Sequence, residues 1–347
     1  MNDGWTKSIL PLPATMQDAI KTLNESSIKL VCLTNAHGEL KGVITDGDIR
    51  RAIVSGKGLS TPVIEFMCET PITISPQDSR MSRKKAFEHH KLLYIPIISS
   101  QNKVIDIEIS QSITTLTQSN TVFLMAGGYG TRLRPLTEEC PKPLLKVGSK
   151  PILETIIESF VNYGFQEFKV SVHYLADQIK DYFQDGLNFG VDIGYVEESK
   201  PLGTAGALSL LPTQTDPLIL MNGDLLTKVD FKELLTYHLN EQAQITMCVR
   251  EYEYQVPYGV INVENNQVKE IIEKPIEKYF VNAGIYVLSP EVVNSLEKGS
   301  YKDMPDLINE YLEKGEKVAL FPIHEYWLDI GRMADFERAQ IDFLHNF

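Results

Sequence analysis

Residues 121–135 read Thr121-Val122-Phe123-Leu124-Met125-Ala126-Gly127-Gly128-Tyr129-Gly130-Thr131-Arg132-Leu133-Arg134-Pro135. The short apolar run before the glycines has the pattern of a strand buried on both faces. Glycines directly after a strand let backbone N–H groups approach a phosphate, and an arginine adds a charge-assisted grip. Two common phosphate loops are excluded by spacing. Counted from Gly128 and Gly130, a dinucleotide fingerprint needs a glycine where Leu133 stands, and a P-loop must end in Gly-Lys-Ser/Thr. A ligand-free glycine turn stays open as the plain alternative. Against it, Arg132, Arg134, Lys142 and Lys146 gather in this one segment.

Downstream, strand signals at Val122–Ala126, Phe168–His173, Asp192–Glu197, Leu218–Met221 and Ile245–Arg250 alternate with helical patterns. One such pattern is Ile152, Ile156, Ile157, Phe160 and Val161, spaced three and four apart. This alternation predicts an α/β fold: a Rossmann-like mixed, mostly parallel sheet flanked by helices. Ligands on such sheets sit at the carboxyl ends of the strands, so the site should begin at Gly127. Upstream, the polar run Thr114–Asn120 reads as a linker, dividing the chain into residues 1–118 and 121–347. The first part repeats weakly at an offset of 64 (87 − 23 = 64), which lays Leu23 on Phe87, Val31 on Ile95 and Leu40 on Val104. Each copy reads as a helix and two strands, Met16–Asn24, Leu30–Thr34 and Leu40–Thr45, then Met81–His89, Leu93–Ile98 and Val104–Ile109.

The 347 residues carry 33 Lys+Arg and 46 Asp+Glu, a formal charge of −13. That balance argues against a nucleic-acid partner, which needs a basic face. Cys32, Cys68, Cys140 and Cys248 form no C-x-x-C pair, so no disulfide frame or zinc knuckle is expected. No apolar run is long enough for a membrane span, and the N-terminus has no signal-like pattern, so a cytoplasmic protein without membrane contact is expected.

Gly-Gly-x-Gly-Thr-Arg at 127–132, Pro141-Lys142-Pro143 and a helix from Pro151 follow one another in an order that is not generic. Over residues 121–345 the chain resembles the sugar-1-phosphate nucleotidyltransferases, or nucleotide-sugar pyrophosphorylases, and the resemblance implies their nucleotidyltransferase fold. It implies that Ala126, Gly127, Gly128, Gly130 and Thr131 wrap a nucleoside triphosphate while Arg132 neutralises its β and γ phosphates. Lys142 would reach the α-phosphate and the incoming sugar phosphate. Gly203, Thr204 and Ala205 match the segment that contacts the base. Gly259, Glu273 and Asn282 match sugar-binding positions, with Lys274 beside them as a further catalytic cation. Asp224 and Asp329 match two carboxylates that hold Mg2+. The chemistry asks for such a set, because both substrates are anionic and repel each other unless cations intervene. A phosphate monoester is already ionised, so no general base is needed.

Residues 5–117 resemble a tandem CBS pair, a regulatory or dimerising α+β module that often takes an adenine nucleotide. Gly42-Val43-Ile44-Thr45-Asp46-Gly47-Asp48 carries the resemblance, which assigns Thr45 and Asp48 to a ribose and its phosphate. The second copy departs from the pattern, with Asp106, Ile109 and Ser112 at the matching places. A ligand-free platform stays open, as does Asp48 capping a helix that begins at Ile49. A homo-oligomer is expected.

The Leu-Gly-Thr-Ala-Gly segment is more like the mannose-1-phosphate guanylyltransferases and their hexosamine relatives, and a fused CBS pair points the same way. GTP and a mannose- or glucosamine-type phosphate are therefore expected. Two other classes compete: a cytidylyltransferase acting on phosphocholine or a related phosphate, and a nucleotide sensor without turnover. His173 reads as a core or edge histidine, and Trp327, Tyr252 and Tyr254 as packing residues.

Overall fold

The computed structural model describes residues 3–26, 28–90, 92–110 and 118–346. Residues 114–117 of the expected linker, and Ser112, lie outside them. The chain divides into two compact units, residues 1–116 and 117–347.

In the first unit β1 (Ile9–Pro11) leads to α1 (Met16–Glu25), β2 (Leu30–Thr34), β3 (Leu40–Thr45) and α2 (Asp46–Val54). The order β1-β2-β3 forms a sheet, parallel then antiparallel. A second passage runs α3 (Arg80–His90), β4 (Tyr94–Ile98) and β5 (Val104–Ile109), with β4 and β5 antiparallel. The offset of 64 holds down to single hydrogen bonds. Asn35 N–H donates to Glu39 O and Gly38 N–H to Asn35 O in one hairpin; Ser99 N–H donates to Lys103 O and Asn102 N–H to Ser99 O in the other. Both hairpins carry an irregularity at the matching place, Leu33/Thr34 and Ile97/Ile98. Gly38 and Asn102 supply the left-handed residue of each turn, one by lacking a Cβ and the other by the tolerance of asparagine.

The second unit runs β6 (Val122–Met125), β7 (Lys146–Val147), β8 (Lys150–Pro151), α4 (Ile152–Asn162), β9 (Glu167–Val172), α5 (Ala176–Phe183), β10 (Asp192–Glu197) and α6 (Gly203–Gly206). It continues through β11 (Leu218–Asn222), β12 (Leu225–Thr227), α7 (Phe231–Glu241), β13 (Ile245–Gln255), β14 (Val260–Glu264), β15 (Gln267–Ile272) and β16 (Ile276–Leu288). α8 (Pro290–Asn294), α9 (Met304–Glu313), β17 (Val318–Ile323), β18 (Trp327–Asp329) and α10 (Met333–Asn346) complete it. Seven strands make one sheet in the order β10-β9-β6-β11-β16-β13-β17. All its neighbours are parallel except β16, which runs antiparallel to both β11 and β13.

Both faces of this sheet are covered, which is why its strands read as continuous apolar runs. Val122 and Leu124 of β6, with Ile219 and Met221 of β11, face the core that also holds Ile156, Phe160, Phe183 and Phe231. Phe123, Leu218 and Leu220 face the opposite core with Met304, Leu307 and Tyr311. The strand order reverses at β6, since β9 and β10 lie on one side and β11 on the other. A crevice forms where successive connections leave such a sheet in opposite directions. Among the described residues no helix is long and apolar enough to cross a membrane.

Candidate functional site

At that crevice lies a cleft of about 320 Å³ lined by Ala126, Gly128, Tyr129, Gly130, Thr131, Arg132, Lys142, Gly223 and Asp224, among others. The glycine loop opens it. Gly130 sits at φ +61, where a Cβ would also meet Lys142 Cβ at 3.2 Å, so the sharp turn and the approach of Lys142 both need glycine. Lys142 starts a short 3-10 turn after Pro141 and is buried, which leaves its stem little freedom. Its ammonium donates to Asp224 Oδ2. Asp224 Oδ1 is also buried and has no hydrogen-bond partner in the structure.

The second carboxylate comes from far along the chain. β12 pairs antiparallel with β18, opposing Leu225 to Asp329, and Ile330 N–H donates to Asp224 O at 3.1 Å. Burial, then the neighbouring Asp224 charge, push the Asp329 carboxyl above the usual carboxylate range, while Lys142 and Arg132 pull it back. Two acids and two cations from four sequence regions therefore share one field. Gly331 completes this wall, its α-carbon side facing Arg132, Asp329 and Asp335.

Other expected positions fall elsewhere. Gly127 packs against His173 and Glu198 beside the cleft. Gly203, Thr204 and Ala205 form the short α6, which is tied to the 300–304 segment. Thr204 N–H donates to Asp303 Oδ1 at 3.0 Å, Met304 N–H donates to Thr204 Oγ1 at 2.8 Å, and Ala205 N–H donates to Lys302 O at 2.9 Å. Gly203, at φ +80, lies so close that a Cβ would stand 2.6 Å from Lys302 O. Asn282 turns back on its own strand, accepting from Gly284 N–H at 3.0 Å with its amide against the Tyr286 hydroxyl. Gly259, Glu273 and Lys274 lie on an exposed ribbon made by the outer halves of β13 and β16 with the β14–β15 hairpin.

The structure differs from two expectations. α2 begins at Asp46, not Ile49, with Thr45 as its N-cap and Asp48 three residues in. Asp48 Oδ2 accepts from Thr45 N–H at 2.8 Å and from Thr45 Oγ1 at 2.7 Å, while Oδ1 pairs with Arg51. Thr15 and Asp18 build the same reciprocal box on α1, so the cap alone accounts for this geometry. Tyr252 and Tyr254, expected to pack, are exposed on the ribbon, because their strand outruns the sheet. His173, expected in the core or at an edge rather than in catalysis, is half-buried just past the end of β9 beside the glycine loop, its Nε2 3.2 Å from Tyr129 Oη. Trp327 does pack, donating to Ala283 O at 2.9 Å.

Sequence reasoning passed over Glu198. It accepts from Ser171 Oγ on one oxygen and from Leu202 N–H at 2.9 Å on the other, linking the end of β9 to the loop before α6. In the sequence it is only one of an acidic pair at a strand end, with no spacing to mark it.

The comparisons with known proteins agree with this architecture. A CBS domain model matches residues 8–55. The Drosophila melanogaster mannose-1-phosphate guanylyltransferase catalytic subunit beta is 35% identical over 221 residues, 61% of this chain and 60% of that protein. The Saccharomyces cerevisiae mannose-1-phosphate guanyltransferase is 32% identical over 245 residues, covering 64% of each. The chain thus spans only 60–64% of the length of these relatives. Among solved structures, HddC from Yersinia pseudotuberculosis superposes with a TM-score of 0.52 at 26% identity, over 65% of this chain and 99% of that one. A second structure of it, complexed with GMP-PN, gives 0.51 with the same coverage. The nucleotidyl transferase family model matches residues 121–346, well over half the chain, and the protein belongs to that family.

Proposed function

We propose that the protein transfers a nucleotidyl group from a nucleoside triphosphate, GTP by preference, to a mannose- or hexosamine-type sugar-1-phosphate, releasing pyrophosphate. The observation that carries this reading is the joining of the Gly128–Arg132 loop, Lys142 and Asp224 in one cleft at the switch point of the sheet. The likeness to mannose-1-phosphate guanylyltransferases supports the choice of base and sugar.

The loop's N–H groups and Arg132 would take the β and γ phosphates, and Lys142 would sit between the α-phosphate and the incoming sugar phosphate. A sugar-phosphate oxygen attacks the α-phosphorus, one P–O bond forms, the bond to pyrophosphate breaks, and no proton need be removed from the nucleophile. Catalysis then rests on alignment and charge. Asp224 and Asp329 are an oxygen-only donor pair suited to Mg2+, and the unpartnered, buried Asp224 Oδ1 fits such a role. Magnesium bound there would supply charge neutralisation for the phosphate oxygens. Glu273, Lys274, Gly259 and Asn282 would face the sugar, and Gly203–Ala205 would border the base.

The test is pyrophosphate release with magnesium across a grid of triphosphates and sugar-1-phosphates. GTP with mannose- or glucosamine-1-phosphate should give the largest signal. Release only from CTP with phosphocholine would replace this reading, and silence across the grid would leave a sensor without turnover. For the first unit we propose an adenine nucleotide held through Thr45 and Asp48. Titration calorimetry with AMP, ADP and ATP should show heat that Asp48→Ala removes; no heat with any of them sinks this part.

A further inference from the structure

Tyr129 is the one residue of Gly127–Gly130 that is not a glycine, standing between Gly128, whose missing side chain faces open space, and the left-handed Gly130. Within Gly127–Gly130 it is thus the residue with a side chain long enough to anchor the backbone. Its ring lines the cleft and is half exposed. Two side chains just past the end of β9 hold it. Its hydroxyl lies 3.2 Å from His173 Nε2, with the two rings edge to face at 5.7 Å. The Tyr174 ring lies 5.5 Å away on a tilt, and its own hydroxyl reaches Thr137 O at 3.2 Å and Glu138 O at 3.0 Å.

The hydrogen bonds fix the direction of this chain. His173 Nδ1 stands 2.8 Å from Glu198 O, a carbonyl that can only accept, so Nδ1 carries the proton. In the neutral ring Nε2 is then the acceptor, and Tyr129 O–H donates to it. His173 Cβ also packs under Gly127, 3.3 Å from where a Cβ there would stand. One histidine therefore supports both the floor and the tip of the loop.

We propose that Tyr129 and His173 form an anchor that holds the 127–131 backbone ready for a polyphosphate, setting affinity for the triphosphate rather than the rate of transfer. This rests on the reading of the cleft given above. Loop amides that are already aimed need not be ordered on binding, which is where preorganisation gains affinity. Tyr129 is a positioning residue here, acting through the loop's N–H groups.

The test compares Tyr129→Phe, His173→Phe, the double variant and His173→Gln, which keeps a side-chain acceptor. Two readouts are taken: amide hydrogen exchange over residues 127–131 in the free protein, and titration with GTP and with inorganic pyrophosphate. Losing a neutral hydrogen bond should weaken triphosphate binding about 3- to 10-fold. The KM for the triphosphate should rise with it while kcat changes less than about twofold. Exchange of the loop amides should quicken in step, the double variant should be no worse than either single one, and His173→Gln should recover most of the loss. Unchanged loop exchange in Tyr129→Phe overturns the anchor, and so does faster exchange with unchanged affinity. A wild-type protein that takes up neither GTP nor pyrophosphate overturns the reading of the cleft itself, a failure seen before any variant is made.

Discussion

Asp224 and Lys274 stand for the two halves of the site proposed above, and their surroundings differ sharply. Asp224 is gripped by Lys142 on one oxygen, leads into a strand paired with β18, and has its backbone carbonyl bonded to Ile330 N–H. Lys274 ends a hairpin in which every residue from Ile261 to Lys274 is exposed. The ribbon beneath it is zipped by pairs such as Lys278 with Glu251 at 2.9 Å and Glu253 at 2.7 Å. Exposed pairs of that kind contribute a few tenths of a kcal/mol to about 1 kcal/mol. A two-stranded ribbon is marginal by itself. The proposed nucleotide half is therefore fixed by the fold, while the proposed sugar half is fixed only where β13 and β16 enter the sheet.

The largest effect should come from breaking the fixed half. Asp224→Ala removes the partner of the buried Lys142 and one member of the carboxylate pair. Pyrophosphate release should fall about 10³-fold or more, beyond what loss of a single hydrogen bond produces. Asp224→Asn should lose as much activity while melting closer to the wild type, because its carbonyl can still accept from Lys142. Stripping an ion pair of one partner leaves a buried charge uncompensated, at a cost on the order of 3 kcal/mol. Near-full activity in either variant would mean that the nucleotide half has been misplaced.

That half was also the legible one. The buried-strand pattern before Gly127, the loop residues through Arg132, Lys142 between its prolines and Asp224 at a strand end are all local signals. The fold carries them to one crevice because parallel strands end together. Pairing across long separations is less visible. Asp329 enters through β18, and nothing in Trp327-Leu328-Asp329 states that it pairs with Leu225–Thr227. Glu198, His173 and Asp303 act through hydrogen bonds to residues far along the chain, which leave no periodic trace. Thr204 shows the converse: its motif was plain, but Asp303 binds both its N–H and its hydroxyl. The overrun of β13 and β16 was hidden for another reason, since the alternation along Glu251–Gln255 looks the same whether or not a core lies beneath it.

A smaller effect should appear at the other end of the two long strands, where they are seated in the sheet. His238 on α7 is buried, with Nδ1 2.9 Å from Thr246 Oγ1 on β13 and Nε2 3.2 Å from Ser289 Oγ just after β16. Ser289 gives its proton to Ala243 O at 3.0 Å, so His238 donates from Nε2 and accepts at Nδ1, as a neutral ring does. Burial brings its pKa down from 6.5 to about 4. The unfolded chain then takes up a proton below pH 6.5 that the folded chain refuses until about pH 4. Stability contributed by the neutral ring should be full above 6.5 and fall as pH drops through that window, by about 3 kcal/mol in all. Denaturant melts of the wild type and of His238→Gln between pH 7 and 4.5 check this, because carboxylate titration is common to both. Parallel slopes would show that the ring is not held neutral, and the seated end of these strands would be looser than its hydrogen bonds suggest.

The smallest effect should separate the halves most cleanly. Lys274 stands at φ +46, and its carbonyl accepts from Gln255 Nε2 at 3.4 Å, so the fold makes use of its backbone. Lys274→Ala keeps that backbone bond and should leave the melting temperature unchanged, as exposed substitutions generally do. If the ammonium meets the sugar phosphate, losing one charged hydrogen bond should raise the KM for that substrate about 10-fold. The KM for the triphosphate should stay where it was, because the glycine loop, Arg132 and Lys142 lie in the other half. Steady-state kinetics with each substrate varied in turn decides it. Equal rises in both constants would mean that the ribbon closes over the nucleotide as well, and the division drawn between Asp224 and Lys274 would fail. No rise in either would remove Lys274 from the site and leave the sugar to be gripped nearer the sheet, where Asn282 lies two residues before the left-handed Gly284.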